Sequence, residues 1–281
     1  MAIKNNSIIK GTYFPPGDKS ISHRILILAS QAVGKSEISN LLEGEDVLNT
    51  LKAMRILGAN ISKKNKKYVV FGVPPGGLFQ PNKPIDFGNS GTGIRLICGL
   101  IASNNIKAKL VGDGSLSKRP MKRVTVHLKK IGALINLKKD SYPPIKIKGD
   151  GEALPLKYNI MIPSAQIKSA IMLSALNTNG LIEIKEFKTT RDHTENMLNY
   201  FGANISLSKQ EKETHIKIIG KKELKSVNID VPSDLSSSAF FIIAALINRG
   251  SKINLNNINI NPSRDGILKA LKKMGAKISI E

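Results

Sequence analysis

The residues best suited to chemistry in this 281-residue chain stand at the polar starts of apolar helical segments. Gly17-Asp18-Lys19-Ser20-Ile21-Ser22-His23-Arg24 gathers a lysine, hydroxyls and an arginine at one such start, with Arg24 four residues beyond Ser20 and so on the same face. The free N–H groups of a first helical turn, joined by an ammonium and a guanidinium, suit a phosphate or a carboxylate. They also suit a plain serine-capped helix with two solvated bases. Asp86-Phe87-Gly88-Asn89-Ser90-Gly91-Thr92-Gly93-Ile94-Arg95 is a glycine-rich turn that lets a ligand approach the backbone closely, or simply starts a helix. In Ser117-Lys118-Arg119-Pro120-Met121, the proline biases Arg119 toward extended backbone, from which it can reach a cleft. Pro163-Ser164-Ala165-Gln166 opens another helix with a hydroxyl and an amide. Thr190-Arg191-Asp192-His193-Thr194-Glu195 has capping-box spacing, with Asp192 as N-cap and Glu195 three residues on, which directs Arg191 off the helix start. On this reading His193 is an exposed first-turn residue rather than a catalytic base.

Other chemistries find little support. The four histidines are too scattered for a recognisable metal motif, and the lone Cys98, inside an apolar helical run, reads as an inert core thiol. Ala29-Ser30-Gln31-Ala32-Val33-Gly34-Lys35-Ser36 imitates a phosphate-binding loop, but alanine replaces its first glycine and the preceding segment reads as helix. The formal charge of +22 comes from 43 Lys+Arg against 21 Asp+Glu. Only eight of those bases are arginine, and the few aromatics are not interleaved with them, unlike a nucleic-acid face. Most lysines are therefore expected to be solvated surface, with the rare arginines the place to look for function.

The elements that must hold these residues repeat along the chain. Four helical segments end in a bulky apolar residue followed by Gly-Ala and an alternating strand pattern, at Gly58, Gly132, Gly202 and Gly275, which are 74, 70 and 73 residues apart. Glycine there supplies the left-handed backbone of a helix C-cap, and four copies at near-equal spacing mark a duplicated unit. Each unit holds a second helix, starting near Ser20, Thr92, Ser164 and Leu235, apolar on nearly all sides and so expected to be buried. With 41% hydrophobic residues and no run near the ~18 apolar residues of a membrane helix, the expectation is a soluble, cytoplasmic α/β protein of repeated modules.

Taken in order, the motifs resemble those of the 5-enolpyruvylshikimate-3-phosphate (EPSP) synthases: Gly-Asp-Lys-Ser-Ile-Ser-His-Arg, Gly-Asn-Ser-Gly-Thr-Gly-Ile-Arg, Leu-Ser-Lys-Arg-Pro-Met, Pro-Ser-Ala-Gln-Ile-Lys-Ser-Ala, Thr-Arg-Asp-His-Thr-Glu, Val231-Pro-Ser-Asp-Leu-Ser-Ser-Ser-Ala-Phe and Asn261-Pro-Ser-Arg. The resemblance covers essentially the whole chain. It implies transfer of the enolpyruvyl group of phosphoenolpyruvate to the 5-hydroxyl of shikimate 3-phosphate, with release of phosphate, in the shikimate pathway to chorismate. It implies no metal and no cofactor. By resemblance Lys19, Ser20, Arg24, Ser164, Ala165, Gln166 and Arg191 hold shikimate 3-phosphate, while Lys19, Asn89, Gly91, Arg119 and Gln166 serve phosphoenolpyruvate, Lys19 being the catalytic residue that reaches both. Ser90 shapes the turn beside Asn89. The family is the target of glyphosate, which occupies the phosphoenolpyruvate site, and glycine rather than alanine at Gly91 implies sensitivity to it.

The implied fold is the enolpyruvyl transferase fold of βαβαββ units, an inside-out α/β barrel with six units in two domains. At about 72 residues each, six units need about 430 residues, so four are expected here. Residues 18–231 would form the complete three-unit domain, and residues 1–17 and 232–281 part of the other. The resemblance further implies that the acid–base Asp and Glu lie outside these 281 residues, that this chain alone shows no turnover, and that the full-length protein is a monomer. UDP-N-acetylglucosamine enolpyruvyl transferase shares the fold but carries its reactive cysteine on a mobile loop, unlike Cys98. A non-catalytic anion- or nucleic-acid-binding protein is the alternative of a different class, distinguished by salt-dependent DNA retention without shikimate 3-phosphate binding.

Overall fold

The computed structural model describes residues 8–210 and 213–281; the part of the expected second-domain segment at 1–7 lies outside them. The helices are α1 (Lys19–Ala29), α2 (Glu45–Ile56), α3 (Gly91–Ala102), α4 (Lys122–Leu128), α5 (Ala165–Ala175), α6 (His193–Tyr200), α7 (Leu235–Ile247) and α8 (Gly266–Lys273). None is long and apolar enough to cross a membrane.

Three four-stranded sheets share one layout: a short edge strand, a parallel neighbour, then two antiparallel strands. In the second sheet Ile85–Asp86 runs parallel to Lys107–Val111, which pairs with Tyr142–Lys148 and through it with Leu134–Lys138. In the third, Lys157–Ile160 runs parallel to Leu181–Glu186, followed by Glu213–Ile219 and Asn204–Gln210. Parallel neighbours need a crossover, supplied here by α3 and α5. The first sheet borrows its edge strand from far downstream: Asn228–Asp230 pairs in parallel with Lys35–Ser39, beside Lys67–Phe71 and Asn60–Lys64.

Alternation along the strands turns one face inward, placing Ile182, Ile184, Ile216 and Ile218 in the core below the third sheet and Leu110, Ile135, Ile145 and Ile147 below the second. As the sequence implies, α1, α3 and α5 are buried almost all round. The last two approach so closely that a Cβ on Gly99 would stand 2.3 Å from the Ala170 carbonyl oxygen. Cys98 is buried in α3, where desolvation pushes its thiol up to about 12 and leaves it unreactive.

Two expectations fail in the fourth unit. Helix α7 is not buried: Phe240 is 78% and Ile247 76% exposed, and Phe241 packs on Tyr13 with ring centroids 3.9 Å apart. Its neighbour is a two-stranded parallel sheet, Lys10–Tyr13 with Lys252–Leu255, too small to cover it. All four junction glycines take positive φ (110°, 107°, 76° and 89°). Strands follow the first three, at Asn60, Leu134 and Asn204. Residues 276–281 after Gly275 form no strand, since no described strand offers them a partner. Between the three sheets and the small one the chain crosses twice, at Gly17 and Ser233, tied by Asp18 N–H to Pro232 O (2.7 Å) and Asp234 N–H to Pro16 O (2.9 Å).

Candidate active site

The starts of α1, α2, α3 and α5 converge on a cleft of about 370 Å³, lined by Lys19, Glu45, Asp46, Asn89, Gly91, Thr92, Arg95, Arg119 and Gln166. Helix α1 is capped by Asp18 rather than by a serine, its Oδ1 accepting from Ile21 N–H at 3.0 Å. That frees the Ser20 hydroxyl from capping, and Lys19 reaches Asp46, with Nζ 3.2 Å from Oδ2. The His23 imidazole and the Lys19 ammonium hold the Asp46 carboxyl well below the usual carboxylate range. His23 itself is fully buried, its pKa lowered chiefly by desolvation, with Nδ1 2.8 Å from the Thr50 hydroxyl.

Ser90 caps α3, accepting from Gly93 N–H at 3.2 Å. A Cβ on Gly91 would stand 3.0 Å from Arg119 Nη1 and 3.2 Å from Arg95 Nη1, so glycine keeps two guanidinium groups close to the helix start. Arg119 is extended, as the following proline implies, and donates from Nη2 to the Asn89 side chain and, at 3.4 Å, to the Ser115 hydroxyl. Gln166 accepts from Arg95 Nη1 at 2.9 Å and donates to the Thr92 hydroxyl at 3.0 Å. Arg95 also donates to the carbonyls of Gly91 (3.2 Å) and Pro120 (3.1 Å), joining α3, α5 and the Arg119 loop. Burial, then Arg123 and Arg119, lower its pKa to about 10, which leaves it charged at neutral pH.

Ser20, Arg24, Ser164, Ala165 and Arg191 do not line this cleft but stand next to it. Arg24 is buried among α1, α5 and α6, donating from Nε to Thr194 Oγ1 (2.7 Å), from Nη2 to Ser169 Oγ (2.9 Å) and from Nη1 to Ser20 O (2.9 Å). Desolvation lowers it to about 10. Exposed Arg191 reaches the Ser20 hydroxyl from the far side at 3.4 Å. Ser164 caps α5, Ala165 is buried at its first turn, and Gln166 extends from there into the cleft.

Two readings of the α6 start are corrected. His193 is buried, at 4% exposed, and desolvation followed by the charge of Arg24 pushes it down to about 4, so it is neutral. No capping box forms: Asp192 Oδ1 accepts from Asn261 Nδ2 at 2.6 Å, and Glu195 turns inward to Lys168. Packing of the 259–264 loop on this helix start overrides the local capping preference. Sequence reasoning missed Arg95, Lys168, Ser169 and Thr194. For Arg95 a signal existed, since it follows Gly91 at the spacing by which Arg24 follows Ser20, and each arginine donates to the carbonyl four residues back.

Among the described residues no three of His, Cys, Asp and Glu cluster as a metal would require. What the arrangement offers is anion chemistry: fixed guanidinium groups, one mobile ammonium, and amide and hydroxyl groups at three helix starts, where N–H dipoles add to the field.

The model of the EPSP synthase family (3-phosphoshikimate 1-carboxyvinyltransferase) matches residues 3–281. A protein of Acidiphilium cryptum named 3-phosphoshikimate 1-carboxyvinyltransferase is 45% identical over 273 residues, covering 97% of this chain and 61% of that protein. One of the same name from Brucella abortus is 43% identical, covering 99% of this chain and 62% of its own length. An EPSP synthase structure from Acinetobacter baumannii superposes with a TM-score of 0.90 at 39% identity, covering 99% of this chain and 62% of that one. The chain thus spans about three fifths of the length of the relatives it matches. On sequence and fold together it belongs to the EPSP synthase family, with the enolpyruvyl transferase fold.

Proposed function

We propose that this chain provides the substrate-gathering part of an enzyme that transfers the enolpyruvyl group of phosphoenolpyruvate to the 5-hydroxyl of shikimate 3-phosphate, as the names of its relatives describe. The observation that carries the reading is the juxtaposition of two cationic poles on adjoining helix starts, Arg24 with Arg191 and Arg95 with Arg119, with Lys19 and Gln166 between them. Two substrates that each bear phosphate or carboxylate groups repel one another in water, and fixed cations offset that repulsion while holding the reacting atoms together.

In the roles proposed, Ser20, Arg24, Ser164, Ala165 and Arg191 hold shikimate 3-phosphate. Asn89, Gly91 and Arg119 hold phosphoenolpyruvate, and Lys19 and Gln166 touch both. The 5-hydroxyl oxygen adds to the enol carbon that bears the phosphate as its proton leaves and the methylene carbon takes one up. Loss of a proton from the resulting methyl group and departure of phosphate then restore the carbon–carbon double bond, now in an enol ether. Lys19, half exposed and held among the described residues by Asp46, can swing to whichever charge develops. Residues 18–231 are proposed as one domain, and residues 1–17 and 232–281 as belonging to a second, joined at the paired crossings. The proposed setting is the cytoplasm.

Calorimetric titration of the purified chain with shikimate 3-phosphate tests the reading. Saturable binding that Arg24→Ala abolishes is expected, and heat no larger than dilution into buffer overturns it.

A further inference from the structure

The site so described leaves one buried charged cluster unused. Lys168 on α5 is 1% exposed, and its Nζ lies 2.8 Å from Glu186 Oε2 and 2.6 Å from Glu195 Oε1, both also buried. Three ionisable side chains in an apolar interior, where burial raises the Glu195 pKa, carry a heavy desolvation cost, and a well-packed apolar trio commonly folds as well or better. Stability alone does not account for them.

Each member adjoins, in sequence or by hydrogen bond, a group that holds the phosphate pole. Ser169, next in the chain to Lys168, accepts from Arg24 Nη2, and Thr194, just before Glu195, accepts from Arg24 Nε. These two hydroxyls lie 2.6 Å apart. The second oxygen of Glu186 accepts from the backbone N–H of Thr190 at 3.1 Å and from its hydroxyl, and Thr190 immediately precedes Arg191. The cluster, formally −1, therefore flanks in sequence the two hydroxyls that hold one buried arginine, on which the charge of Glu195 also acts, and anchors the backbone that carries the other. The hydrogen bonds of Arg95 and Arg119 run elsewhere, to Gly91, Pro120, Gln166, Asn89 and Ser115.

We propose that Lys168, Glu186 and Glu195 are positioning residues for the shikimate 3-phosphate pole: they hold Arg24 through Ser169 and Thr194, hold Arg191 through Thr190, and supply the counter-charge that keeps Arg24 in place while the site is empty. The inference rests on the substrate reading above. A set that acted only on stability would change affinity only as far as it changed folding. A positioning set lets the two separate.

The test is the triple variant Lys168→Met/Glu186→Leu/Glu195→Leu in the 281-residue chain, measured by thermal melting and by calorimetric titration with shikimate 3-phosphate. Titration is done well below both melting midpoints, because the apolar packing gained opposes the cost of leaving buried Arg24 without its counter-charge; at least tenfold weaker binding is expected, with loss of an ordered Arg24 Nε–H signal in ¹⁵N spectra. Binding within twofold of the wild type overturns the assignment. Should the triple variant fold poorly, the isosteric Glu195→Gln decides: a threefold or greater loss of affinity at unchanged melting supports it, and unchanged affinity overturns it. A wild-type chain that binds no shikimate 3-phosphate overturns the substrate reading and this assignment with it.

Discussion

Arg24 lies buried among three helices with Nε and both Nη atoms committed to Thr194, Ser169 and Ser20, whereas Arg119 stands on an exposed loop and reaches only Asn89 and Ser115. The buried group has lost most of its rotamer freedom during folding, so its entropy is spent before a ligand arrives. The half-buried one, tied to a loop side chain and a hydroxyl, keeps more freedom to lose at the moment of binding. Arg24 is thus a preformed socket and Arg119 an adjustable arm, and each pole combines both kinds, since Arg191 beside Arg24 is exposed and Arg95 beside Arg119 is buried and tied by three hydrogen bonds.

The sharpest way to break this comparison is Arg24→Ala. Removing a buried, hydrogen-bonded cation is expected to cost about 2–5 kcal/mol of shikimate 3-phosphate affinity, and it lowers the melting midpoint as well because the Lys168 cluster loses its counter-charge. A loss under threefold in a calorimetric titration would dissolve the idea of a preformed socket. Arg119→Ala is expected to cost a similar 2–5 kcal/mol, but of phosphoenolpyruvate affinity, since the arm is desolvated only in the complex. Its melting midpoint should move little, as for other exposed side chains, within about 0.5 kcal/mol. Equal destabilisation by the two substitutions in parallel melts would remove the distinction.

A subtler probe is Gly91→Ala. Gly91 lies outside the left-handed region, so alanine fits the backbone, and the gain of about 0.4–1 kcal/mol from a stiffer unfolded chain is offset by crowding of buried Arg95, leaving the melting midpoint little changed. The alanine methyl must displace the Arg119 guanidinium by a few tenths of an ångström. Weaker phosphoenolpyruvate binding at undiminished shikimate 3-phosphate affinity is the expected pattern, read from paired titrations, and a loss shared by both ligands would contradict it.

A further effect concerns protons beside Arg24. His193 has its pKa depressed to about 4 in the fold, against an ordinary value near 6.5, so between those values the unfolded chain binds the extra proton. Stability is therefore full above about pH 6.5 and is lost as the pH falls toward 4, with a slope from this residue of up to about 1.4 kcal/mol per pH unit. Asp18, Asp192, Arg24 and Arg264 face the ring, and His23 contributes in the same sense. Comparing denaturation of His193→Gln with the wild type at pH 7 and pH 5 isolates the term: the variant should lose less stability on acidification, and parallel losses would show His193 to be uninvolved.

What the sequence made legible follows a physical line. The junction glycines could be read because a helix C-cap is a local backbone demand, and four such demands at equal spacing exposed the unit. The helix starts could be read because Lys19, Ser20, Gly91 and Arg119 stand out against their neighbours. Lys168 could not, because it lies in an apolar helix among many other bases and only three-dimensional packing separates a buried cation from a solvated one. His193 was misread for the complementary reason: the loop that covers it comes from residues 259–264, about 70 residues downstream. The exposure of α7 likewise depends on the size of the sheet beside it rather than on its own composition.

The pairing of Asn228–Asp230 with Lys35–Ser39 bears on how the molecule is born. A chain emerging from the ribosome presents Lys35–Ser39 early, yet that strand keeps an open edge until nearly two hundred further residues have been made. The second and third sheets draw all their strands from consecutive sequence and can assemble as they emerge. The first has to wait, and such long-range closure is slow. During that interval the open edge carries Lys35 and Glu37, charges of the kind that discourage strands of other nascent chains from adding to it.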